Sequence, residues 1–234
     1  MVTLDAFILS HTASPVYMPD QREVDEYLPP PGGRKLPYIL DPLNPLTHGN
    51  LTYPDHFMEL RYQIARAMEN AKQVIVEAGR KYGEMTGRYY DHLIEAYKCN
   101  DAKAVIIAVG SSAGDAKDAV DYLRNQGLEV GVIKLRTIRP FPVEELREAC
   151  KSAKIIGVVD RDYSYGYGGI VHGEVKSTLA DMKKPVQSFI AGLGGRDITV
   201  KDFINIGRRL IEMADRGVGE QPPIWVNLKQ EVIP

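Results

Sequence analysis

Three glycine-bearing strings hold the residues best suited to chemistry, and each of them follows an apolar run and precedes an amphipathic one. The first is Gly110-Ser111-Ser112-Ala113-Gly114-Asp115. Backbone amides at such a turn can hold a phosphate, with the hydroxyls of Ser111 and Ser112 beside it. The dinucleotide fingerprint needs Gly where Ser112 stands, and Asp115 and Asp118 would set two negative charges in the first helical turn. We therefore prefer a glycine turn with a serine cap over a phosphate loop. The second string, residues 160–169, runs Asp-Arg-Asp-Tyr-Ser-Tyr-Gly-Tyr-Gly-Gly. Arg161, Tyr165 and Gly168 could meet a ligand at a sheet edge. The competing reading has Asp160 and Arg161 pairing or capping locally while the tyrosines form a subunit contact, which suits the enrichment of Tyr at interfaces, and we rank it first. In the third, Gly192-Leu193-Gly194-Gly195-Arg196-Asp197, Arg196 could grip a carboxylate or phosphate through two N–H groups. An Arg-Asp neighbour pair more often ties down its own loop.

Other chemistries find little purchase. His11, His48, His56, His92 and His172 never form an i, i+4 pair with a third ligand nearby, so no metal is expected. Cys99 and Cys150 lack CxxC or CxxH neighbours, which suggests neither disulfide nor zinc and fits a reducing compartment. The serines, Ser112 of the Gly110–Gly114 string included, have no partner base visible in the sequence. Trp225, near Pro222, Pro223 and Pro234, reads as an anchor for a C-terminal strand or arm.

The elements that must position these strings follow from periodicity. Residues 104–109, 130–135, 155–160 and 186–191 are apolar runs expected as buried strands; residues 115–125, 143–150 and 170–182 are expected as helices between them. A last helix carries Phe203, Ile206, Leu210 and Met213 on one face and opens on a Thr199/Asp202 capping box. This alternation predicts an α/β three-layer sandwich with a mainly parallel sheet over residues 99–234. Upstream, residues 1–53 hold eight of the nine prolines before Pro140 and read as an extended Pro-rich arm that packs on another domain or chain through Tyr17, Met18, Tyr27 and Leu40. Residues 54–98 predict a long helix and a short one: Phe57, Leu60, Ile64, Ala67, Ala71, Val74 and Ala78 recur at alternating steps of three and four, and residues 89–97 carry a second helical pattern. Pro54 and Asp55 suit the start of the long helix, which at about 45 Å would lean across more than one unit.

The charge balance, 29 Lys and Arg against 31 Asp and Glu, gives no basic excess for nucleic acid. The opening residues have the wrong pattern for a signal peptide and too few apolar positions to span a bilayer, so a cytoplasmic protein is expected.

Residue strings add a family resemblance. Residues 127–136 lead into Arg139-Pro140-Phe141-Pro142, then Val158-Val159-Asp160-Arg161, Gly168-Gly169 and Ile190-Ala191-Gly192-Leu193-Gly194-Gly195-Arg196-Asp197. In that order they resemble the second domain of the alpha component of pyruvate:ferredoxin oxidoreductases, which is transketolase C-terminal-like. Leu4-Asp5-Ala6-Phe7-Ile8-Leu9-Ser10-His11-Thr12, Pro19-Asp20-Gln21 and Met58-Glu59-Leu60-Arg61-Tyr62 are similar to the same family upstream. The resemblance implies oxidative decarboxylation of a 2-oxoacid in an assembly of several domains or subunits, with thiamine diphosphate, Mg and iron–sulfur clusters, and with ferredoxin and coenzyme A as partners. It implies too that the residues activating thiamine and binding substrate lie in a preceding domain, of which this chain would begin at the final strand. Two cysteines cannot furnish a four-thiolate cluster, and Gly114-Asp115 is followed by Ala116, so a Gly-Asp-Gly diphosphate motif is missing. The expectation is therefore a structural or assembly module that is not catalytic alone and has no cofactor of its own, with a stand-alone nucleotide- or coenzyme-binding domain as the competing reading and a purely structural oligomerisation module as a third.

Overall fold

The computed structural model describes residues 8–28, 39–47, 49 and 51–233. The strand expected at the very start, several of the arm's prolines, Tyr38 and His48 lie outside those residues. Contacts divide the chain into two compact units, Pro15–His92 on one side and Leu93–Pro234 with Met1–Ser14 on the other.

In the first unit the Pro-rich arm is not extended throughout, as the sequence had suggested. Between Pro19 and the later prolines a short proline-free stretch forms the helix α2, Gln21–Tyr27, following a single turn α1, Ile8–His11, in the other unit. The reason is local: Asp20 accepts from the N–H groups of Arg22 and Glu23 while Glu23 reaches back to the N–H of Asp20, a complete capping box. Helix α3, Pro54–Thr86, has Pro at its start, as the sequence predicts. Its C-terminal half receives α2, where the Tyr27 hydroxyl donates to the Ala78 carbonyl at 2.9 Å and the Tyr27 and Tyr82 rings meet edge to face.

The second unit is an α/β sandwich. Its strands are β1 Ile94–Tyr97, β2 Ala104–Val109, β3 Val130–Leu135, β4 Ile155–Asp160, β5 Val186–Ile190 and β6 Ile224–Trp225, in the order β1-β3-β2-β4-β5-β6. All neighbours are parallel except β1, which runs antiparallel to β3. Helices α4, Ser112–Asn125, and α7, Val200–Arg216, cover one face through a core that includes Ile106, Leu123, Phe189 and Phe203. Helices α5, Val143–Ala149, and α6, Ile170–Thr178, border the other face, whose core holds Ile107, Ile133, Leu146 and Val175. The predicted mainly parallel sheet between two helical layers is thus present.

Three elements depart from the sequence reading. Residues 94–97, expected as part of a short helix, form β1, because pairing with β3 at the sheet edge offers the backbone partners that an isolated short helix lacks. The helix expected over residues 170–182 ends at Thr178 and tightens into a 3-10 turn, Ala180–Met182, stopped by Lys183 in the left-handed region at φ 52°. Residue 191 falls outside β5. At the C-terminal side the Gln187 side chain, wholly buried, accepts from the Gln221 N–H at 2.8 Å and so steers the chain into β6.

Candidate functional site at the carboxyl edge of the sheet

From β2 the chain crosses α4 to β3 on one side, then returns past β2 to reach β4 on the other. Connections therefore leave β2 and β4 in opposite directions, and the carboxyl ends of such a strand pair diverge into a crevice. A concavity of about 220 Å³ opens there. Ser111 and Ser112 enter it from the end of β2, Arg161 from the end of β4, and Arg196, Asp197 and Ile198 from the loop after β5. Asp115 joins from the first turn of α4, and Leu9, Thr12 and Ser14 come from the start of the chain.

Local backbone explains the convergence. Gly192 has φ 71°, and a Cβ there would stand 2.8 Å from Ile198 Cδ1 and 3.1 Å from Arg161 Nε, so only glycine lets the β5 loop pass this close to the guanidinium. Arg161 is half-buried beneath that loop, while Arg196 is exposed and donates to the Asn227 carbonyl. Arg196 is therefore tied down by the chain after β6.

The electrostatics are balanced. Arg161 and Arg196 bring two positive charges and Asp115 and Asp197 two negative ones. Burial, then the nearby carboxylates of Asp197 and Asp118, push the Asp115 carboxyl above the ordinary Asp value. The Ser112 hydroxyl donates to the Val109 carbonyl at 3.0 Å, so it does not cap α4. Among the described residues that line it, none is a His or Cys. The crevice can recognise a polar or mixed-charge group.

Tyr165 and Gly168 stand apart from it. They belong to a tight turn closed by the Ser164 to Gly168 bridge, with Tyr165 at the tip 94% exposed and the Tyr163 ring 4.8 Å from that of Trp225. Asp160, at the end of β4, is 1% exposed and accepts from the N–H groups of Val171 and His172 at 2.9 and 3.1 Å. It caps α6 from another element, and Gly169 is required beside it because a Cβ would lie 2.1 Å from Asp160 Oδ2. Burial, partly offset by those two N–H groups, raises the Asp160 carboxyl to about 6. The sequence reading missed the contribution of Leu9, Thr12 and Ser14, since about a hundred residues separate them from the rest; the only signal was the Ser-His-Thr string near the start.

Residues 1–80 match the family model described as "Pyruvate flavodoxin/ferredoxin oxidoreductase, thiamine diP-bdg", and residues 102–203 that of "Pyruvate:ferredoxin oxidoreductase core domain II". Across both stretches the chain is 40% identical over 231 residues, 99% of its length, to pyruvate synthase subunit PorA of Methanothermobacter thermautotrophicus. The chain belongs to the pyruvate:ferredoxin oxidoreductase family. Within that family it is also 42% identical over 237 residues to the PorA subunit of Pyrococcus abyssi and 44% identical over 233 residues to the ketoisovalerate oxidoreductase subunit VorA of the same organism. It spans 57% to 59% of the length of these relatives. Among solved structures, a 2-oxoglutarate:ferredoxin oxidoreductase from Magnetococcus marinus matches 70% of this chain and 25% of its own at 18% identity and a TM-score of 0.44. A split-gene transketolase matches 51% of this chain and 42% of its own at 16% identity and a TM-score of 0.43.

Among the described residues no group of three or more His, Cys, Asp or Glu side chains is placed to hold a metal. Burial pushes the Cys99 thiol up to about 11 and the Cys150 thiol up to about 12, which disfavours the thiolate that a cluster needs.

Proposed function

We propose that this chain is a non-catalytic part of the alpha component of a 2-oxoacid:ferredoxin oxidoreductase, acting on pyruvate, in which other domains or subunits supply thiamine diphosphate, Mg and the iron–sulfur clusters. The assembled enzyme decarboxylates its substrate oxidatively, hands the acyl group to coenzyme A and reduces ferredoxin. The observation that carries this reading is the match along nearly the whole chain to PorA and VorA subunits. Its place is cytoplasmic, in keeping with two buried free thiols and with the lack, among the described residues, of any helix long and apolar enough to cross a membrane.

In this reading the α/β unit, with β1 at its edge, forms the assembly domain, and the arm together with α3 engages a neighbouring part of the enzyme. The crevice at Ser111, Ser112, Arg161 and Arg196 is a contact for that neighbour, because matched charges without an acid–base pair suit docking better than turnover. Co-purification from the native source tests this. The chain is expected to bring down components bearing the thiamine site and the clusters, and Arg161→Ala with Arg196→Ala should weaken that association about tenfold while leaving the melting temperature within a few degrees. Undiminished association would remove the crevice from the contact. Tight calorimetric binding of coenzyme A, thiamine diphosphate or NAD to the chain alone would replace the whole reading by that of a stand-alone coenzyme-binding domain. Substrate choice is tested by comparing pyruvate with ketoisovalerate in the assembled enzyme.

A further inference from the structure

Asp160 and Asp162 grip the first turn of α6 together. The buried Asp160 carboxyl accepts from the N–H groups of Val171 and His172, and Asp162 Oδ1 accepts from the Ile170 N–H at 3.1 Å. Three successive amides are thus held by two carboxyls, and a hydrogen bond joins the carboxyls themselves. That bond needs a proton, because two carboxylates offer only acceptors. Between Asp162 and α6 the chain folds into the turn of residues 163–168, closed on itself by Ser164 and Gly168. One limb lays Tyr163 against Trp225, with ring centres 4.8 Å apart, and the other rests the Tyr167 hydroxyl on α6, where a Cβ at Gly173 would stand 2.3 Å from it.

We propose that the two carboxyls are a proton-operated clasp on this turn: with a proton between them they hold all three amides and keep Tyr163 on Trp225, and when it leaves, Asp162 releases Ile170 and the Tyr163 limb swings off Trp225. Two carboxylates within hydrogen-bonding distance repel, so one of them must move away. Asp162 is the one that moves, being exposed and holding a single N–H, whereas Asp160 is buried and holds two. Gly166 and Gly168, with φ 81° and 131°, give the turn its freedom, and Tyr167 on Gly173 is its pivot. Strands β2 and β5, packed beside β4, bring no charged side chain. Other charged or titratable groups around the clasp are Arg161 in the chain itself, Arg196 and Asp197 in the loop after β5, His172, whose Nε2 lies 2.8 Å from the Val186 carbonyl oxygen, and Glu174 of α6, paired with Arg139. Burial, together with the charge of Asp162, lifts the Asp160 carboxyl to about 6, so the clasp is closed below that pH and open above it.

The clasp does not depend on the proposed activity and is read on the full chain by itself. Trp225 is the sole tryptophan, so its fluorescence reports the Tyr163 limb directly. As pH rises from about 5 to about 7, Trp225 emission should shift to the red with a midpoint near 6, while the far-ultraviolet circular dichroism stays constant. Asp162→Asn, a change at an exposed position, leaves no second charge to repel and should remove the shift. His172→Gln should keep it, which separates the clasp from titration of the imidazole. Constant Trp225 emission over this range in the unaltered chain, a shift that survives Asp162→Asn, or one lost in His172→Gln would overturn the proposal.

Discussion

Asp160 ends β4 with its carboxylate shut away from water, and the two N–H groups of α6 that point at it only partly offset the cost of charging it there. Its folded value of about 6 lies above the ordinary 3.8, so between those limits the folded chain keeps a proton that the unfolded chain has released. Stability contributed by this group is therefore fully present below about pH 3.8 and is lost as pH rises through about 6, by at most ~3 kcal/mol. Urea denaturation across that range should show the decline, and Asp160→Asn should abolish it; an unchanged slope in the variant would place the titration elsewhere. At this scale the sequence was only partly readable. Local capping by Asp160 was among the alternatives, but its partner helix begins ten residues later and the need for Gly169 is a matter of contact. Glu95, on β1, runs the other way: burial raises its carboxyl, but Lys117 and Arg136 more than compensate and hold it below the usual Glu value. Both arginines of the crevice were picked out as single candidates, yet nothing in their spacing shows that they meet. That depends on strand order.

Helix α7 shows what a sequence does reveal about an element. Phe203, Ile206, Leu210 and Met213 are all buried, as their spacing requires, and Thr199 and Asp202 cap the helix reciprocally. Removing the cap by Thr199→Ala should cost about 1 kcal/mol, measured as a lower urea midpoint with an unchanged slope. Phe203→Ala, which empties a wholly buried site between α7 and the sheet, should cost about 3–5 kcal/mol. Equal costs would contradict the packing described. Elements decided by tertiary contact were harder to read. The four residues of β1 fit a helical pattern as well as a strand, and only the free edge of β3 selects the strand. Conversely, α2 was hidden by its proline neighbours although its capping box, Asp20 with Glu23, was in plain view.

For the molecule as a whole, the alternation of apolar runs and amphipathic stretches was enough to predict a parallel sheet between helical layers, because each run must be buried on both faces. The sheet order, and with it the crevice between the ends of β2 and β4, depends on crossovers that no local pattern encodes. The same holds for the contribution of Leu9, Thr12 and Ser14 to the crevice. At every scale the described residues combine a mainly parallel sheet between helices with two buried thiols and a crevice of balanced charges. The most direct measurement is anaerobic reduction of methyl viologen with pyruvate and coenzyme A, by the chain alone and by the chain reconstituted with the remaining components of the enzyme. No rate above buffer is expected for the chain alone, and pyruvate-dependent reduction that is lost when this chain is omitted is expected for the reconstituted enzyme. Turnover by the chain alone, or full activity without it, would contradict the account.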